Sequence, residues 1–384
     1  MLKGSAFNNS QVEYMRKLAI IGASYLQMPL VRKAKEMGLY TFCFAWPEGA
    51  VCKEEADEFY PISVVEKEQI LEVCREKHID GICTIASDVS APTVAFVAEK
   101  MGLVGNSYEA AIKANNKFLM RNAFVEAGVP CPSYQRVSSM KELETERFHY
   151  PVIVKPTDRS GSIGIGKVDS VADLLLAAEQ ALKVSFEHEI LVEDFIEGRE
   201  ISVEFISYRG KHYPLQITDK VTTGTPHFVE LEHHQPAALS VEQYDEIYDL
   251  TKKALNALGV TNGASHSEYK ITEDGKVFVM EIGARMGGDF IGSDLVRLST
   301  GYDFLKGVID VALGQFEEPV FGDPHHAGVY FLCEETKHFL KTMKDANLPQ
   351  IIRAEIIDAD LRKVTCSADR SGYLIYQGKE KLKL

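Results

Sequence analysis

No apolar run in the chain is long enough to cross a bilayer, so a membrane is not an expected partner. The opening residues, MLKGSAFNNSQVEY, lack the apolar core of a secretory leader, and residues 1–16 read as a disordered extension. Cysteine is sparse: Cys43, Cys52, Cys74, Cys83, Cys131, Cys333 and Cys366 are odd in number and contain no C-x-x-C. That speaks against a disulfide framework or a zinc site and for reduced thiols in a cytoplasmic protein. Positive charge is in deficit: 42 Lys and Arg against 56 Asp and Glu leave a net charge of −14, which disfavours nucleic acid as a partner. A dinucleotide fingerprint is missing too. Only Gly22 follows the first apolar run, where G-x-G-x-x-G would be needed, so no NAD is assigned.

What remains is the composition of an ordinary globular enzyme, 384 residues with 45% apolar and 26% charged side chains, enough for two or three domains. KLAIIGA (17–23), YTFCFAW (40–46) and GICTIAS (81–87) are short buried strands. Helical stretches at about 28–37, 70–77 and 92–101 alternate with them, which predicts a parallel sheet covered on both faces. Residues 108–128 read as one helix carrying Lys113, Lys117 and Arg121 at fourfold spacing, hence on one face. GVPCPSY then forms an extended linker, and a domain boundary falls near it.

The stretch PVIVKPTDRSGSIGIGK (151–167) joins an apolar run ending on Lys155 to a glycine-rich loop. Such a loop exposes backbone N–H groups to an anion, and the lysine adds a full charge, so polyphosphate is the expected ligand. It nearly matches a P-loop, but Val168 stands where Ser or Thr would hold magnesium. The next helix begins only at the Ser170-x-x-Asp173 capping box, so the reading is strand, loop, strand: a hairpin lid over phosphates. Downstream, ILVEDFI runs into a step with Glu193 and Glu200 on either side, and Gly198 turns the chain. Residues 208–236 look polar and irregular, a candidate substrate loop with His227, His233 and His234 as ordinary loop histidines. Residues 241–258 form an amphipathic helix closed by Gly259.

Two alternating runs then flank Asp274-Gly275, the signal of a two-residue hairpin loop. That loop places Glu268 opposite Glu281, with His266 and Lys270 on the face of Glu268, and Val279 and Gly283 on the face of Glu281. Like charges in register destabilise a sheet. A magnesium ion carrying ATP phosphates would compensate them; neutralisation by Lys270 or Arg285 is the alternative.

Taken in order, these pieces resemble the ATP-grasp superfamily over about Lys17 to Gln315. They are a doubly wound start, a lysine before a linker, VKP with a glycine-rich lid, an EDFIEG step and E…EIxxRxGG. The branch most like it holds carbamoyl-phosphate synthase large subunits, biotin carboxylase-like enzymes and amino-acid ligases. The resemblance implies a mixed α/β and α+β fold. Residues 17–112 would be a Rossmann-like domain and 113–315 an ATP-grasp domain with its lid at about 130–195. Residues 316–384 would be a small α/β cap. It implies ATP and magnesium, with manganese as an alternative. Lys117 and Lys155 would be the phosphate lysines, and Ser160, Gly161, Ser162, Gly164 and Ile165 the lid. Glu193, Asp194, Phe195 and Ile196 would take the adenine and Glu200 the ribose. Glu268 and Glu281 would hold the metal. Arg285 would meet the transferred phosphate or a substrate carboxylate, and His266 would orient the substrate or act as a base. The family usually has Asn two residues after the second acid; Gly283 departs from that and puts a third protein ligand in doubt.

The function so implied is an ATP-dependent ligase that activates a carboxylate as an acyl phosphate and joins it to an amine. A formate- or bicarbonate-dependent relative and a non-catalytic nucleotide-binding module are the other readings. The expected partners are small molecules, with a homodimer contact through the C-terminal region left open.

Overall fold

The computed structural model describes residues 15–159, 164–225, 227–344 and 348–384. Residues 1–14 of the expected extension, and Ser160, Gly161 and Ser162 of the expected lid, lie outside them. Three sheets build the molecule, and the chain is mixed α/β as the sequence implied.

The first sheet is parallel. It takes β1 (Lys17–Ile21), α1 (Met28–Glu36), β2 (Tyr40–Phe44), β3 (Glu58–Tyr60), α2 (Lys67–Lys77), β4 (Gly81–Cys83) and α3 (Ala91–Met101), with strand order β3-β2-β1-β4. The strands are apolar runs because both faces are covered: Leu18 and Ile20 pack toward α1, Ala19 and Ile21 toward α2 and α3. GICTIAS is a strand only to Cys83. Beyond it the chain turns toward the site, and Ile85 makes a single bridge to Met286.

The helix expected at 108–128 is two, α4 (Tyr108–Asn115) and α5 (Lys117–Ala127). Asn116 sits between them in extended backbone, and its side chain accepts from the N–H groups of Phe118 and Leu119. This is a helix N-cap, and Asn is among the residues best suited to it. The cationic stripe is broken with it: Lys113 pairs outward with Glu109 at 2.7 Å, whereas Lys117 and Arg121 are buried.

A second, antiparallel sheet holds β5 (Tyr134–Val137), β6 (Val152–Pro156), β7 (Gly166–Val168) and β8 (Ile190–Asp194) in the order β5-β8-β6-β7, backed by α6 (Val171–Val184). β6 and β7 are the arms of the expected hairpin, and Ser170 caps α6.

The third sheet has eight strands in the order β13-β12-β9-β10-β11-β14-β16-β15. They are β9 (Arg199–Tyr208), β10 (Lys211–Thr222), β11 (Glu230–Gln235), β12 (Gly263–Ile271), β13 (Val277–Gly283), β14 (His326–Leu332), β15 (Ile351–Ile356) and β16 (Gly372–Gly378). The stretch expected to be irregular at 208–236 is thus mostly two long strands. Their polar residues were misleading because one sheet face lines a wet cavity while the other, with Leu215 and Ile217, is buried. The 316–384 region adds its strands to this same sheet through the β11–β14 pairing. Helix α7 (Val241–Leu258), with α5, covers the apolar face: Ile201, Val203, Phe205, Tyr269 and Ile282 meet Met120, Phe124, Ile247, Leu255 and Leu258. Each such side chain stabilises the fold by roughly 1.5–3 kcal/mol. Helix α8 (Val296–Thr300) lies on β10 and β14, α9 (Phe304–Ala312) packs between the large sheet and β4, and α10 (Phe339–Lys344) lies on β14 and β15. Among the described residues no helix is long and apolar enough to cross a membrane.

Candidate functional site

The lid sheet and the large sheet meet around a cavity of about 570 Å³. Its floor follows from strand alternation. On β9, Glu200, Ser202 and Glu204 share one face, and Ile201, Val203 and Phe205 share the other. Register carries this pattern across the neighbouring strands. Lys220, Glu200 and Lys270 form one row; Ser202, Glu268 and Glu281 the next; Glu204, His266 and Gly283 the third.

Glu268 and Glu281 are therefore register partners, but not by the hairpin anticipated. Ile271 pairs with Val277, so the loop is longer than two residues, with Thr272 N–H donating to the Lys276 carbonyl. A β-bulge beyond Tyr269 and Val279 then absorbs one residue and restores the pairing. Ahead of the bulge Val279 points into the core, not onto the face of Glu281. Two local errors cancel at the acid pair.

Lysines neutralise both acids. Lys220 Nζ lies 2.7 Å from Glu268 and 3.5 Å from Glu230, while Lys117 Nζ donates to Glu281 at 3.1 Å and to the Arg159 carbonyl at 2.9 Å. Lys220 holds the Glu268 carboxyl well below the usual range, against the opposing effect of burial. The expected neutralisers sit elsewhere: Lys270 pairs with Glu200 at 2.6 Å and Arg285 with Asp88.

A second cluster forms under the lid. Glu193, 1% exposed, lies between Arg121 at 2.7 Å and Lys155 at 2.6 Å. Burial tends to raise its pKa, but the two cations outweigh it and keep the carboxyl below its ordinary value. Burial pushes the Lys155 ammonium down against the pull of Glu193, with Arg121 and Lys117 adding to the fall. Lys117 and Lys155 thus line the cavity, with Arg121 buried beyond Glu193. His266 joins the two clusters' floor: Nδ1 bonds to the buried Glu204, and Nε2 lies 3.4 Å from Glu268. Burial opposes its charged form, yet the Glu204 carboxylate prevails and raises it to about 8.

Of the residues singled out from the sequence, Lys117, Lys155, Ile165, Glu193, Phe195, Ile196, Glu200, His266, Glu268, Glu281 and Arg285 all line this cavity. Asp194 does not, because it follows Glu193 on the same strand and alternation turns it away. Gly164 packs instead on Pro156 and Val184, where an added Cβ would come within 2.7 Å of Val184. At the step itself, a Cβ on Gly198 would sit 2.3 Å from the Ile271 carbonyl oxygen, so only glycine lets β9 approach β12 there. His227 and Phe228 reach the cavity wall, whereas His233 and His234 are buried strand residues that burial keeps below the usual histidine pKa. Sequence reasoning missed Lys220, Glu204 and Asp88. Glu204 had a signal, the twofold period from Glu200; the other two had none.

Residues 148–294 match the ATP-grasp domain family. Over those residues the chain is similar to ATP-grasp domains. It is 31% identical over 247 residues to an alanine–anticapsin ligase of Bacillus subtilis, an alignment covering 58% of this chain and 51% of that protein. The chain so matched spans about half the relative's length. Among solved structures it resembles an L-amino acid ligase from Bacillus licheniformis, with a TM-score of 0.79, 24% identity and coverage of 95% of this chain and 94% of that one. It also resembles the biotin carboxylase domain of Hydrogenobacter thermophilus 2-oxoglutarate carboxylase, solved with MgADP, ADP and bicarbonate. There the TM-score is 0.74, identity 19%, and coverage 95% and 86%. Both structural likenesses speak for the fold.

Proposed function

We propose that the chain is an ATP-dependent carboxylate–amine ligase acting on amino acids or similar small metabolites. One observation carries this: under the lid hairpin, Lys117 and Lys155 line the same cavity as the register-paired Glu268 and Glu281. The cations suit a polyphosphate, and the paired acids beside them suit its metal. The identity to an alanine-joining ligase supports amino acids as the substrate class.

The donor set fits magnesium. Glu268 and Glu281 are hard oxygen donors in register, and each now holds an ammonium that a cation would replace. Among the described residues no group of three or more His, Cys, Asp or Glu converges on one point, in keeping with an ion that takes one or two carboxylates and completes its shell with phosphate and water. When held by Glu268 and Glu281, the ion would neutralise phosphate charge during transfer. Lys117 and Lys155 bind the phosphate oxygens, the Glu193–Ile196 segment and Glu200 take the nucleoside, and Arg285 takes the transferred phosphoryl group or the substrate carboxylate. A substrate carboxylate oxygen attacks the γ-phosphorus and ADP leaves. The amine then attacks the acyl carbon, phosphate departs, and the nitrogen loses a proton. His266, held by Glu204, orients groups at this step. The lid excludes water that would hydrolyse the acyl phosphate.

The experiment is a phosphate-release screen with magnesium-ATP against pairs of amino acids, with formate and bicarbonate as separate arms. Release that needs both an amino acid carboxylate and an amine supports the reading. Release with bicarbonate or formate alone moves it to the other branch. Tight nucleotide binding with no release in any arm replaces it by a binding module.

A further inference from the structure

Gly283 stands where the resembling family usually carries Asn, and something else fills the space. An added Cβ on Gly283 would lie 2.5 Å from Asp88 Oδ1 and 3.1 Å from Arg285 Nε. Asp88 comes from the loop between β4 and α3, outside the ATP-grasp sheets altogether. We propose that Asp88 is a positioning residue for Arg285, seated in the volume that Gly283 leaves open, so that the parallel-sheet domain sets the aim of the anion-binding arginine.

The geometry of the fork carries this. Arg285 Nε donates to Asp88 Oδ1 at 2.8 Å and Nη2 to Oδ2 at 2.7 Å, the side-on bidentate arrangement that fixes a guanidinium in two directions. Nη1 donates to the Met286 carbonyl at 3.3 Å. Three of the five N–H donors of a guanidinium are thereby used, leaving two for a ligand. Arg285 lines the cavity with Lys117 and Glu281, so these donors belong to the site.

The loop that brings Asp88 is itself tied down. Ala86 N–H donates to the Met286 carbonyl at 3.0 Å, beside the Ile85–Met286 bridge, and Ala86 adopts a φ of 54°, a region residues with a Cβ seldom enter. Ser87 and Ser90 hydroxyls bond at 2.8 Å across the same turn. Asp88 is thus presented by a braced loop, and it is 17% exposed in its side chain against 15% for Arg285. Any side chain at 283 would evict the carboxylate and free the arginine to swing. Glycine at 283 and aspartate at 88 form one device made from two domains.

This inference rests on the ligase reading for the ligand but not for the packing, and two measurements separate them. The first titrates inorganic phosphate onto enzyme saturated with magnesium-ADP. Asp88→Asn keeps the size but breaks the charged fork, and should weaken phosphate at least about tenfold more than it weakens magnesium-ADP. Equal weakening of both would make Asp88 merely structural and overturn the proposal. Loss of magnesium affinity in place of phosphate would overturn it in favour of a carboxylate acting on the metal. The second is a melting-temperature cycle without ligand. Gly283→Ala should lower Tm in the wild type and lower it much less on an Asp88→Ala background, because the collision is gone. Equal drops would overturn the shared space. A wild type that fails to bind magnesium-ADP removes the ligase reading and Arg285 as an anion ligand, while the melting cycle still decides whether 88 and 283 share one volume.

Discussion

Glu281 is the residue at which the proposed chemistry can be tested with the least disturbance to the fold. It is a register partner of Glu268 and touches Lys117, which keeps a second acceptor in the Arg159 carbonyl. Glu281→Gln should therefore leave melting nearly unchanged. It should cut turnover by roughly 10²–10³, the usual loss when one preorganised charge at a transition state is removed. Nucleotide affinity should lose its magnesium dependence in the same variant, measured by titration with and without chelator. Unchanged turnover would take Glu281 out of the site. At this scale much was legible: Lys155, Glu193 and the acid pair lie in local patterns of a strand end or a hairpin, whereas Lys117 reads as part of a helical stripe that the Asn116 cap breaks. Lys220 and Asp88 lie in no such pattern, because what matters about them is a partner 48 or 197 positions away.

At the scale of elements, caps and bulges decided what periodicity could not. Asn116 ends α4 and starts α5, and this places Lys117 at the first turn of a helix with its N–H on the Thr157 carbonyl. Asn116→Ala should cost about 1 kcal/mol of stability, a typical N-cap loss. It should also weaken nucleotide binding, because Lys117 would no longer be aimed; denaturant melts and a nucleotide titration check the two together. β11 offers a pH test. His233 is 1% exposed, and both its ring nitrogens are without a hydrogen-bond partner among the described residues; burial, with Lys220 nearby, holds it well below the ordinary histidine pKa. His234 is lowered as well, again chiefly by burial. An unfolded histidine titrates near 6.5, so below that pH the unfolded chain takes up protons the folded one refuses. Stability from these two residues is complete above about pH 6.5 and is lost as pH falls toward their depressed folded values. Tm should drop between pH 7 and 5. His233→Phe should flatten that slope and raise stability at pH 7 by about 1 kcal/mol, since an unpaired buried polar group is removed. An unchanged slope would show that His233 is not one of the groups responsible.

For the whole molecule, the site sits where all three parts of the chain meet: Asp88 from the parallel sheet, Lys155 from the lid, the large sheet beneath, and Cys366 and Ser367 from the C-terminal stretch on the wall. A ligand bound there stabilises every part it touches. Magnesium-ADP at a hundred times its Kd should raise the stability of the folded state by about 2.7 kcal/mol, and chelation of the magnesium should abolish most of the gain. Differential scanning calorimetry over a ligand series checks this, and a melting curve blind to the ligand would refute the site as drawn. The C-terminal strands extend the same eight-stranded sheet, so proteolytic removal of 316–384 should expose the β11 edge and lower the solubility of what remains.

By itself the amino-acid order determined what repeats over a few residues: parallel strands between helices, a hairpin beneath a glycine loop, a helix closed at Gly259, and an acid on each arm of a second hairpin. Those features depend on backbone period and capping, which neighbours in the chain decide. Only the tertiary structure decided which cation meets which acid, that a bulge restores the pairing of Glu268 with Glu281, and that an aspartate from the loop after β4 occupies the space beside Gly283. Such choices are made by side chains brought together through packing, and distance along the chain carries no trace of them.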